Sequence, residues 1–302
     1  MNPDEAGESL RTVRDVLRYA VSRFGENRLV FGHGTDNAWD EAAYLVLHTL
    51  HLPLDTLEPF LDARLTATEL KAVLEIVRRR AEERVPAAYL TGEAWLGDYR
   101  FVVDERVIVP RSFIAELLFD GLSPWIADPE LVARALDLCT GSGCLAVIAA
   151  QTFPNTKIDA IDVSADALEV ARANVAAYDL AERVRLVESD LYSRLGKTRY
   201  DLIIANPPYV NQISMEALPG EYLREPRLAL AGGPDGLDVV RRIVAGAHAH
   251  LKKDGFLIVE VGHERAHVEA AFPDLPCTWL TTAAGNDMVF LLPAVDLARF
   301  SP

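Results

Sequence analysis

The chain has 302 residues, of which 50% are hydrophobic and 25% charged, with 18 glycines and 17 prolines. These values are typical of a globular protein and exclude collagen-like, disordered and low-complexity chains. The net charge of −15 argues against a duplex-DNA-binding protein, which needs Lys and Arg to displace counterions from phosphates. It suits a small-molecule substrate or a basic protein partner.

The three cysteines Cys139, Cys144 and Cys277 are too few for a disulfide framework and fit a reducing cytoplasm. No apolar run reaches the roughly 20 residues that a membrane helix needs. The N-terminus, MNPDEAGESL, is acidic and lacks the apolar segment of a signal peptide. We therefore predict a cytoplasmic protein with no membrane partner.

Residues 1–85 have the apolar spacing of helices. Apolar side chains recur in steps of three and four between Ser9 and Phe24 and again between Trp39 and Leu50. A third helix is predicted from Thr66, which forms a capping box with Glu69, to Arg84. The arginine run at residues 78–80 is predicted to lie at the solvated end of that helix, where cations complement the helix dipole.

Residues 86–110 differ from the helical part. The runs Ala94–Leu96 and Tyr99–Val103 flank a Gly97-Asp98 pair, which predicts a β-hairpin linking two domains.

Residues 111–302 alternate short apolar runs with amphipathic stretches, which predicts an α/β domain with a parallel sheet covered on both faces. The predicted strands are 135–139, 157–163, 184–188, 201–205, 256–261, 278–281 and 288–292. The last two lie close together in sequence and predict an antiparallel hairpin at one edge. The expected fold is a seven-stranded, mostly parallel, Rossmann-like sheet, and the long stretch 210–236 beside it is predicted to be a functional loop.

The first predicted strand ends in a glycine-rich turn. Its residues are Asp137, Leu138, Cys139, Thr140, Gly141, Ser142 and Gly143. Glycines allow unusual φ angles and a close approach of backbone to ligand, and the turn falls at the switch point where such sheets bind ligands. The alternative is a tight strand–helix turn that binds nothing.

Acidic residues follow the next two predicted strands. Asp162 lies about 20 residues after the glycines, where a carboxylate accepts hydrogen bonds from ribose hydroxyls; the alternative is a helix cap. Ser164 is the predicted N-cap of the following helix. Asp190 is placed to accept hydrogen bonds from an adenine amino group, and capping is again the alternative. Ala146 replaces the third glycine of the dinucleotide fingerprint, which favours a ribose-bearing ligand without pyrophosphate, such as S-adenosylmethionine.

The fourth predicted strand runs into Asn206-Pro207-Pro208-Tyr209. Proline fixes φ and removes the backbone donor, so Pro207 offers only its carbonyl. With the side-chain oxygen of Asn206, this gives two rigid acceptors for a planar NH2 group, whose nitrogen can then face an electrophile. Tyr209 is predicted to supply an aromatic wall beside a sulfonium cation.

The segment His263-Glu264-Arg265-Ala266-His267 fits the H-E-x-x-H pattern of zinc proteases. It follows a predicted strand end and has no third ligand downstream, so we interpret it as a solvated helix N-terminus. Cys139 and Cys144 flank the glycine turn with no histidine nearby. No metal site is therefore predicted.

Together these motifs resemble the class I S-adenosylmethionine-dependent methyltransferases. Tyr89-Leu-Thr-Gly-Glu, the run from Val107 to Ser112 and Glu225-Pro226 narrow the resemblance to the protein N(5)-glutamine methyltransferases. The resemblance covers nearly the whole chain and implies S-adenosylmethionine as methyl donor. It implies cofactor contacts from residues 139–143, Asp162, Leu191 and Asn206, and amide-substrate contacts from residues 206–209.

Pro110-Arg111-Ser112 and the segment from Phe31 to Glu41 resemble the branch that methylates a glutamine of large-subunit ribosomal protein L-three. Phe113-Ile114 departs from the Pro-Ile usual in that branch and leaves release-factor methylation as the alternative target. N(6)-adenine methylation of nucleic acid and a non-catalytic ribosome assembly factor are further alternatives. The helices of residues 1–85 carry no cofactor motif and are predicted to recognise the protein substrate.

Overall fold

The structure of the protein is a computed structural model that describes residues 9–298. The chain divides into two compact units. The first ends at Ala94 and also includes Pro219–Arg224, and the second comprises Trp95–Leu218 and the chain from Glu225 onward. The boundary at Ala94 lies between the domain limits predicted at residues 85 and 110. Residues 219–224, which belong to the predicted long loop, are part of the helical unit.

The first unit is helical. Its helices are α1 (Val13–Glu26), α2 (Ala38–Thr49), α3 (Ala67–Glu82) and α4 (Ala87–Thr91), with a 3₁₀ turn at Glu58–Phe60. The capping box forms as predicted, because Thr66 N donates to Glu69 Oε2 at 2.7 Å and Glu69 N donates to Thr66 Oγ1 at 3.3 Å. Apolar faces of these helices pack around Phe24, Leu45 and Val77.

The prediction that the whole arginine run faces solvent is wrong for Arg80, which is 1% exposed. Its guanidinium binds Glu41 at 2.6 Å and Glu221 at 3.5 Å, and it donates to the carbonyl of Val30 at 3.1 Å. Arg78 remains at the surface, paired with Glu75. Arg80 is buried because carboxylates from other parts of the unit surround it, which a local charge pattern does not reveal.

The second unit contains the predicted seven-stranded sheet. Its strands are β3 (Arg134–Leu138), β4 (Lys157–Asp162), β5 (Val184–Glu188), β6 (Tyr200–Ala205), β7 (Leu251–Glu260), β8 (Thr278–Thr282) and β9 (Gly285–Pro293). They lie in the order β5-β4-β3-β6-β7-β9-β8. The strands β3 to β7 are mutually parallel, and β9 is antiparallel to both β7 and β8. The fold class and the antiparallel edge hairpin are confirmed.

The inner parallel strands β3, β4 and β6 are buried along almost their whole length, as expected for a sheet covered on both faces, whereas the edge strand β5 is mostly exposed or half-buried. The connecting and flanking helices are α5 (Phe113–Phe119), α6 (Cys144–Thr152), α7 (Ala165–Ala177), α8 (Gln212–Glu216), α9 (Asp238–His250), α10 (Arg265–Ala271) and α11 (Ala294–Leu297). Because β3 to β7 run in one direction, their carboxyl ends meet at one edge of the sheet, and this edge carries the site described below.

The predicted hairpin is present as β1 (Glu93–Leu96) and β2 (Tyr99–Val102). Gly97, at its turn, has φ +59°, and a Cβ there would lie 2.6 Å from the ring of Phe119. The turn therefore requires glycine both for its backbone conformation and for the close contact with that ring. None of the helices found between residues 9 and 298 is long and apolar enough to cross a membrane.

Candidate active site

A cavity of about 320 Å³ lies at the carboxyl edge of the sheet, entirely within the second unit. Residues from the ends of β3, β4, β5 and β6 contribute to its walls, as the switch-point rule predicts. The predicted site residues among them are Cys139, Gly141, Asp162, Asp190, Leu191, Asn206 and Pro208. Its volume falls at the lower end of the range of small-molecule sites.

The glycine turn has alternating left-handed residues. Cys139, Gly141 and Gly143 have φ of +59°, +54° and +79°. A Cβ at Gly141 would meet no atom within 4 Å, so that position needs glycine for its conformation. At Gly143 a Cβ would lie 3.1 Å from the Cβ of Ala171, so this glycine also allows α7 to pack closely on the turn. Positive φ at a non-glycine residue is uncommon, and Cys139 adopts it where the backbone borders the cavity.

Asp162 supports the glycine turn as well as lining the cavity. Its Oδ2 accepts from the N–H of Gly141 at 2.9 Å, and its Oδ1 accepts from the N–H of Ser164 at 2.9 Å. Burial raises the pKa of this carboxyl, and the two backbone donors partly offset that effect. The cap of α7 is Ser164, as predicted, so the alternative of Asp162 as a helix cap does not apply.

Asp137 lies behind the turn. It is 0% exposed and does not line the cavity, which differs from its predicted cofactor contact. Its Oδ2 accepts from the hydroxyl of Thr140 at 2.5 Å, and burial raises the pKa of its carboxyl to about 7. Thr140, Ser142 and Gly143 are also buried away from the cavity walls, so this part of the motif holds the turn from behind.

Asp190 and Leu191 also border the cavity. Asp190 makes no side-chain cap bond to the 3₁₀ turn that follows it, so the capping alternative does not apply. Its Oδ2 instead lies 2.7 Å from Nη2 of Arg242, a further cavity residue that the sequence did not single out. Leu191 has φ +48°, a second non-glycine residue in the left-handed region at this cavity.

The Asn206–Tyr209 segment divides between the cavity and its surroundings. Asn206 and Pro208 line the cavity, whereas Pro207 and Tyr209 do not. The Nδ2 of Asn206 donates to the carbonyl of Arg111 in a long hydrogen bond of 3.5 Å. Tyr209 packs on Gly262, where a Cβ would lie 2.5 Å from the ring, so its aromatic face is held there rather than in the cavity wall.

A buried carboxylate that the sequence analysis missed lies next to this segment. Glu260 ends β7, is 1% exposed and accepts from the hydroxyl of Ser112 at 2.6 Å and the N–H of Phe113 at 2.9 Å. The hydroxyl of Tyr209 donates to its other oxygen at 3.4 Å. Burial raises the pKa of the Glu260 carboxyl to about 7. Its signal in the sequence is an acidic residue directly after the apolar run from Phe256 to Val259.

The H-E-x-x-H segment does not form a zinc helix. His263 precedes α10 and is exposed, whereas Glu264 is buried and binds Asn211 and His267. Burial raises the pKa of the Cys139 thiol, and that of Cys144 to about 12, which keeps both thiols protonated. Within residues 9–298, no three His, Cys, Asp or Glu side chains are grouped where they would hold a metal ion.

A sheet of this order, with a cavity over a glycine turn and a central strand ending in Asn-Pro-Pro-Tyr, defines a class I methyltransferase. Residues 117–227 match the family described as Methyltransferase small domain. The chain belongs, more narrowly, to the family of ribosomal protein uL3 (L-three) glutamine methyltransferases, as its relatives show.

The relative from Burkholderia pseudomallei with that name is 62% identical over 95% of this chain and 96% of its own length. That from Neisseria meningitidis serogroup A is 60% identical over 96% of this chain and 95% of its own length. Bradyrhizobium diazoefficiens has another at 52% identity, covering 95% of this chain and 92% of the relative.

Among solved structures, the catalytic domain of hMettl16 in complex with a hairpin of the MAT2A 3′UTR has a TM-score of 0.51 at 16% identity. The match covers 74% of this chain and 80% of that one. At this identity the likeness shows the fold alone.

Proposed function

We propose that this chain transfers a methyl group from S-adenosylmethionine to the side-chain amide nitrogen of a glutamine in ribosomal protein uL3. The observation that carries the proposal is that Asn206 and Pro208 line the same cavity as Asp162 and the glycine turn. The full-length identity to relatives named for this reaction supports uL3 over a release factor as target. The net charge of −15 suits a basic protein substrate that is methylated in the cytoplasm.

The cavity fits the methyl donor by its chemistry. Two carboxylates, Asp162 and Asp190, offer acceptors for hydroxyl and amino hydrogens. The apolar side chains of Ile161, Leu191 and Val239 offer a surface for packing against the apolar parts of the ligand. Gly141 leaves its backbone open to a ligand, because no atom occupies the space where a Cβ would lie. When bound, S-adenosylmethionine supplies an electrophilic methyl group on a sulfonium.

Asn206 and Pro207 align the glutamine amide in this proposal. The side-chain oxygen of Asn206 accepts one amide N–H. The carbonyl of Pro207, which is itself buried outside the cavity walls, accepts the other where its peptide bond joins the cavity residue Pro208. The long hydrogen bond from Asn206 Nδ2 to the carbonyl of Arg111 supports this role, because it engages the nitrogen of the side chain and not the oxygen that is proposed to accept from the substrate. With both hydrogens held, the amide nitrogen faces the methyl group.

Orientation and electrostatics are the proposed sources of rate acceleration. An amide is a poor nucleophile because its lone pair is delocalised, and the Asn206–Tyr209 motif contains no His, Cys or Lys to act as a base. Fixed geometry supplies up to about 7–11 kcal/mol in favourable cases. The two carbonyl-type acceptors add to this, because they favour positive charge on the amide nitrogen during transfer. The amide proton then leaves after the methyl group has moved.

We assign the helices before residue 86 to recognition of the protein substrate. Every wall of the cavity belongs to the second unit, so the cofactor does not need the first unit for its contacts. The exposed Trp39 on α2 offers the kind of aromatic side chain that dominates protein–protein contacts.

The test offers purified uL3, a release factor and an adenine-containing oligonucleotide to the enzyme in parallel, with labelled S-adenosylmethionine. We expect one methyl group on one glutamine of uL3, located by tandem mass spectrometry of the digested protein. Label on the release factor or on adenine, with none on uL3, would contradict the proposal. The variant Asn206→Ala provides the matched negative control.

A further inference from the structure

A buried carboxylate joins two segments of the second unit that border the cavity. Oε1 of Glu225 accepts from Nη1 of Arg111 at 2.5 Å and from the N–H of Val109 at 2.9 Å, while Oε2 accepts from Nη2 of Arg111 at 2.6 Å. The Glu225 side chain is 0% exposed and that of Arg111 is 29% exposed. Two parallel bonds from one guanidinium fix the orientation of the two side chains as well as their distance.

The residues next to this ion pair form one wall of the cavity. Residues 106–108 lead directly into Val109, and residues 226, 228 and 229 directly follow Glu225. Leu228 is 61% exposed, so its position in the wall depends on its backbone more than on packing of its side chain. The ion pair therefore lies next to both wall segments in the chain.

Arg111 also contacts the Asn206–Tyr209 segment, through its own backbone. Its carbonyl accepts from Nδ2 of Asn206 at 3.5 Å. One residue therefore connects the wall of the cavity to the side chain that is proposed to align the substrate amide.

We propose that Arg111 and Glu225 are positioning residues whose ion pair holds segments 106–108 and 226–229 against bound S-adenosylmethionine. The pair slows release of the cofactor and keeps its methyl group aligned with Asn206. This inference rests on the cofactor site proposed above. Removing either partner leaves a buried or half-buried charge without its counter-ion, so the two segments separate to hydrate it.

The experiment measures how fast S-adenosylhomocysteine dissociates from the full-length enzyme, by stopped-flow displacement, and the single-turnover rate of uL3 methylation at saturating cofactor. The variants are Glu225→Gln and Arg111→Lys. Asp159→Asn is the matched control, because it breaks another pair formed by a mostly buried carboxylate, Arg185–Asp159 at 2.7 Å, whose residues do not line the cavity. Melting temperatures are recorded for all variants.

We expect Glu225→Gln to accelerate cofactor dissociation about tenfold or more, equivalent to about 1.4 kcal/mol. Arg111→Lys keeps the positive charge but loses the two parallel hydrogen bonds. Its dissociation rate should therefore lie between those of Glu225→Gln and the wild type. Both variants should also slow methyl transfer at saturating cofactor. The control should keep the wild-type dissociation rate even where it lowers the melting temperature.

A wild-type dissociation rate in Glu225→Gln overturns the proposal, and so does a rate change equal to that of the control. If Glu225→Gln does not fold, Arg111→Lys decides the question by the same criterion. Asp162→Ala separates this proposal from the site itself. If neither Glu225→Gln nor Asp162→Ala changes cofactor binding, the cavity is not the cofactor site. If Asp162→Ala weakens binding and Glu225→Gln does not, only the role of the ion pair is overturned.

Discussion

Arg80 and Glu41 form an ion pair that is closed off from solvent within the helical unit. Nε of Arg80 lies 2.6 Å from Oε1 of Glu41, and each side chain is 1% exposed. The Arg80 guanidinium also lies 5.7 Å from the ring centroid of Phe31, within the range of cation–π contacts. Such a buried charge depends on its partners, because water is not present to replace them.

We predict that Glu41→Gln destabilises the protein by about 3–5 kcal/mol, the usual cost of removing one partner from a buried ion pair. Chemical denaturation followed by circular dichroism measures the change. Glu75→Gln is the control, because it breaks the surface pair with Arg78 and should cost at most about 1 kcal/mol. Equal effects of the two substitutions would show that Arg80 is not dependent on Glu41.

Asp162→Ala should weaken S-adenosylmethionine binding by about 1–3 kcal/mol, measured by titration calorimetry. The substitution removes the proposed acceptor for ribose hydroxyls, and it also leaves the N–H groups of Gly141 and Ser164 without their partner. Asp162→Asn, which keeps one acceptor oxygen, should lose less affinity. Unchanged affinity in the alanine variant would remove Asp162 from the site.

Asn206→Ala should lower the turnover rate about 100-fold or more, by analogy with the loss of one preorganised electrostatic partner. Cofactor affinity should change less, because Asp162 and the glycine turn still border the cavity. Asn206→Asp keeps an acceptor oxygen and should retain cofactor binding with some activity. Single-turnover rates and affinities test both variants, and a wild-type rate in Asn206→Ala would contradict the amide-alignment mechanism.

Glu260 should make stability depend on pH. Its folded pKa of about 7 exceeds its ordinary value of 4.5, so the folded protein keeps a proton that the unfolded chain releases between those pH values. The stabilisation is therefore fully present below about pH 4.5 and is lost as the pH rises through 7.

Relative to Glu260→Gln, which does not titrate, the wild type should lose about 3 kcal/mol between pH 4.5 and about pH 8. Denaturation of both proteins across this pH range measures the difference between their free energies of unfolding. Hydrogen bonds altered by the substitution shift this difference equally at every pH, so they do not affect its change with pH. A difference that grows in favour of the wild type as the pH rises would show that the three donors around Glu260 keep it ionised.

Trp39→Ala should lower kcat/KM for uL3 about tenfold or more and leave cofactor affinity unchanged. Trp39 is 49% exposed on α2, and truncating a tryptophan that acts as a binding hot spot costs about 2 kcal/mol or more. Leu131→Ala is the control, because Leu131 is 76% exposed in the second unit. An unchanged KM and kcat in the tryptophan variant would contradict substrate recognition by α2.

Periodic patterns predicted the elements of the sheet because each strand is a short apolar run between turns. The strand Val184–Glu188 has the predicted limits. β7 begins five residues before the predicted Phe256, because its first part contains charged residues and Gly255. The register between β6 and β7 shifts at this point, and Gly255 lies so close to β6 that a Cβ there would be 2.9 Å from the carbonyl of Tyr200. The strand therefore extends beyond the apolar run from which it was predicted.

The cavity residues that come directly after a strand were predicted from sequence, because parallel strands bring their ends together. Contacts between residues far apart in the sequence were not predicted. Ser112 and Glu260 are 148 residues apart and hydrogen-bonded, and Arg80 binds a carboxylate 141 residues away. The local sequence around each of these side chains does not indicate its partner, which only the folded chain reveals.

The position of Glu221 in the helical unit limits when this unit can finish folding during translation. Domains usually fold in the order in which the ribosome produces them. Here the unit that begins the chain also includes Pro219–Arg224, and the Glu221 carboxylate pairs with Arg80 and Arg84. A nascent chain that has emerged only as far as Ala94 therefore lacks one buried counter-ion, and this unit reaches its final structure only after most of the second unit has been translated.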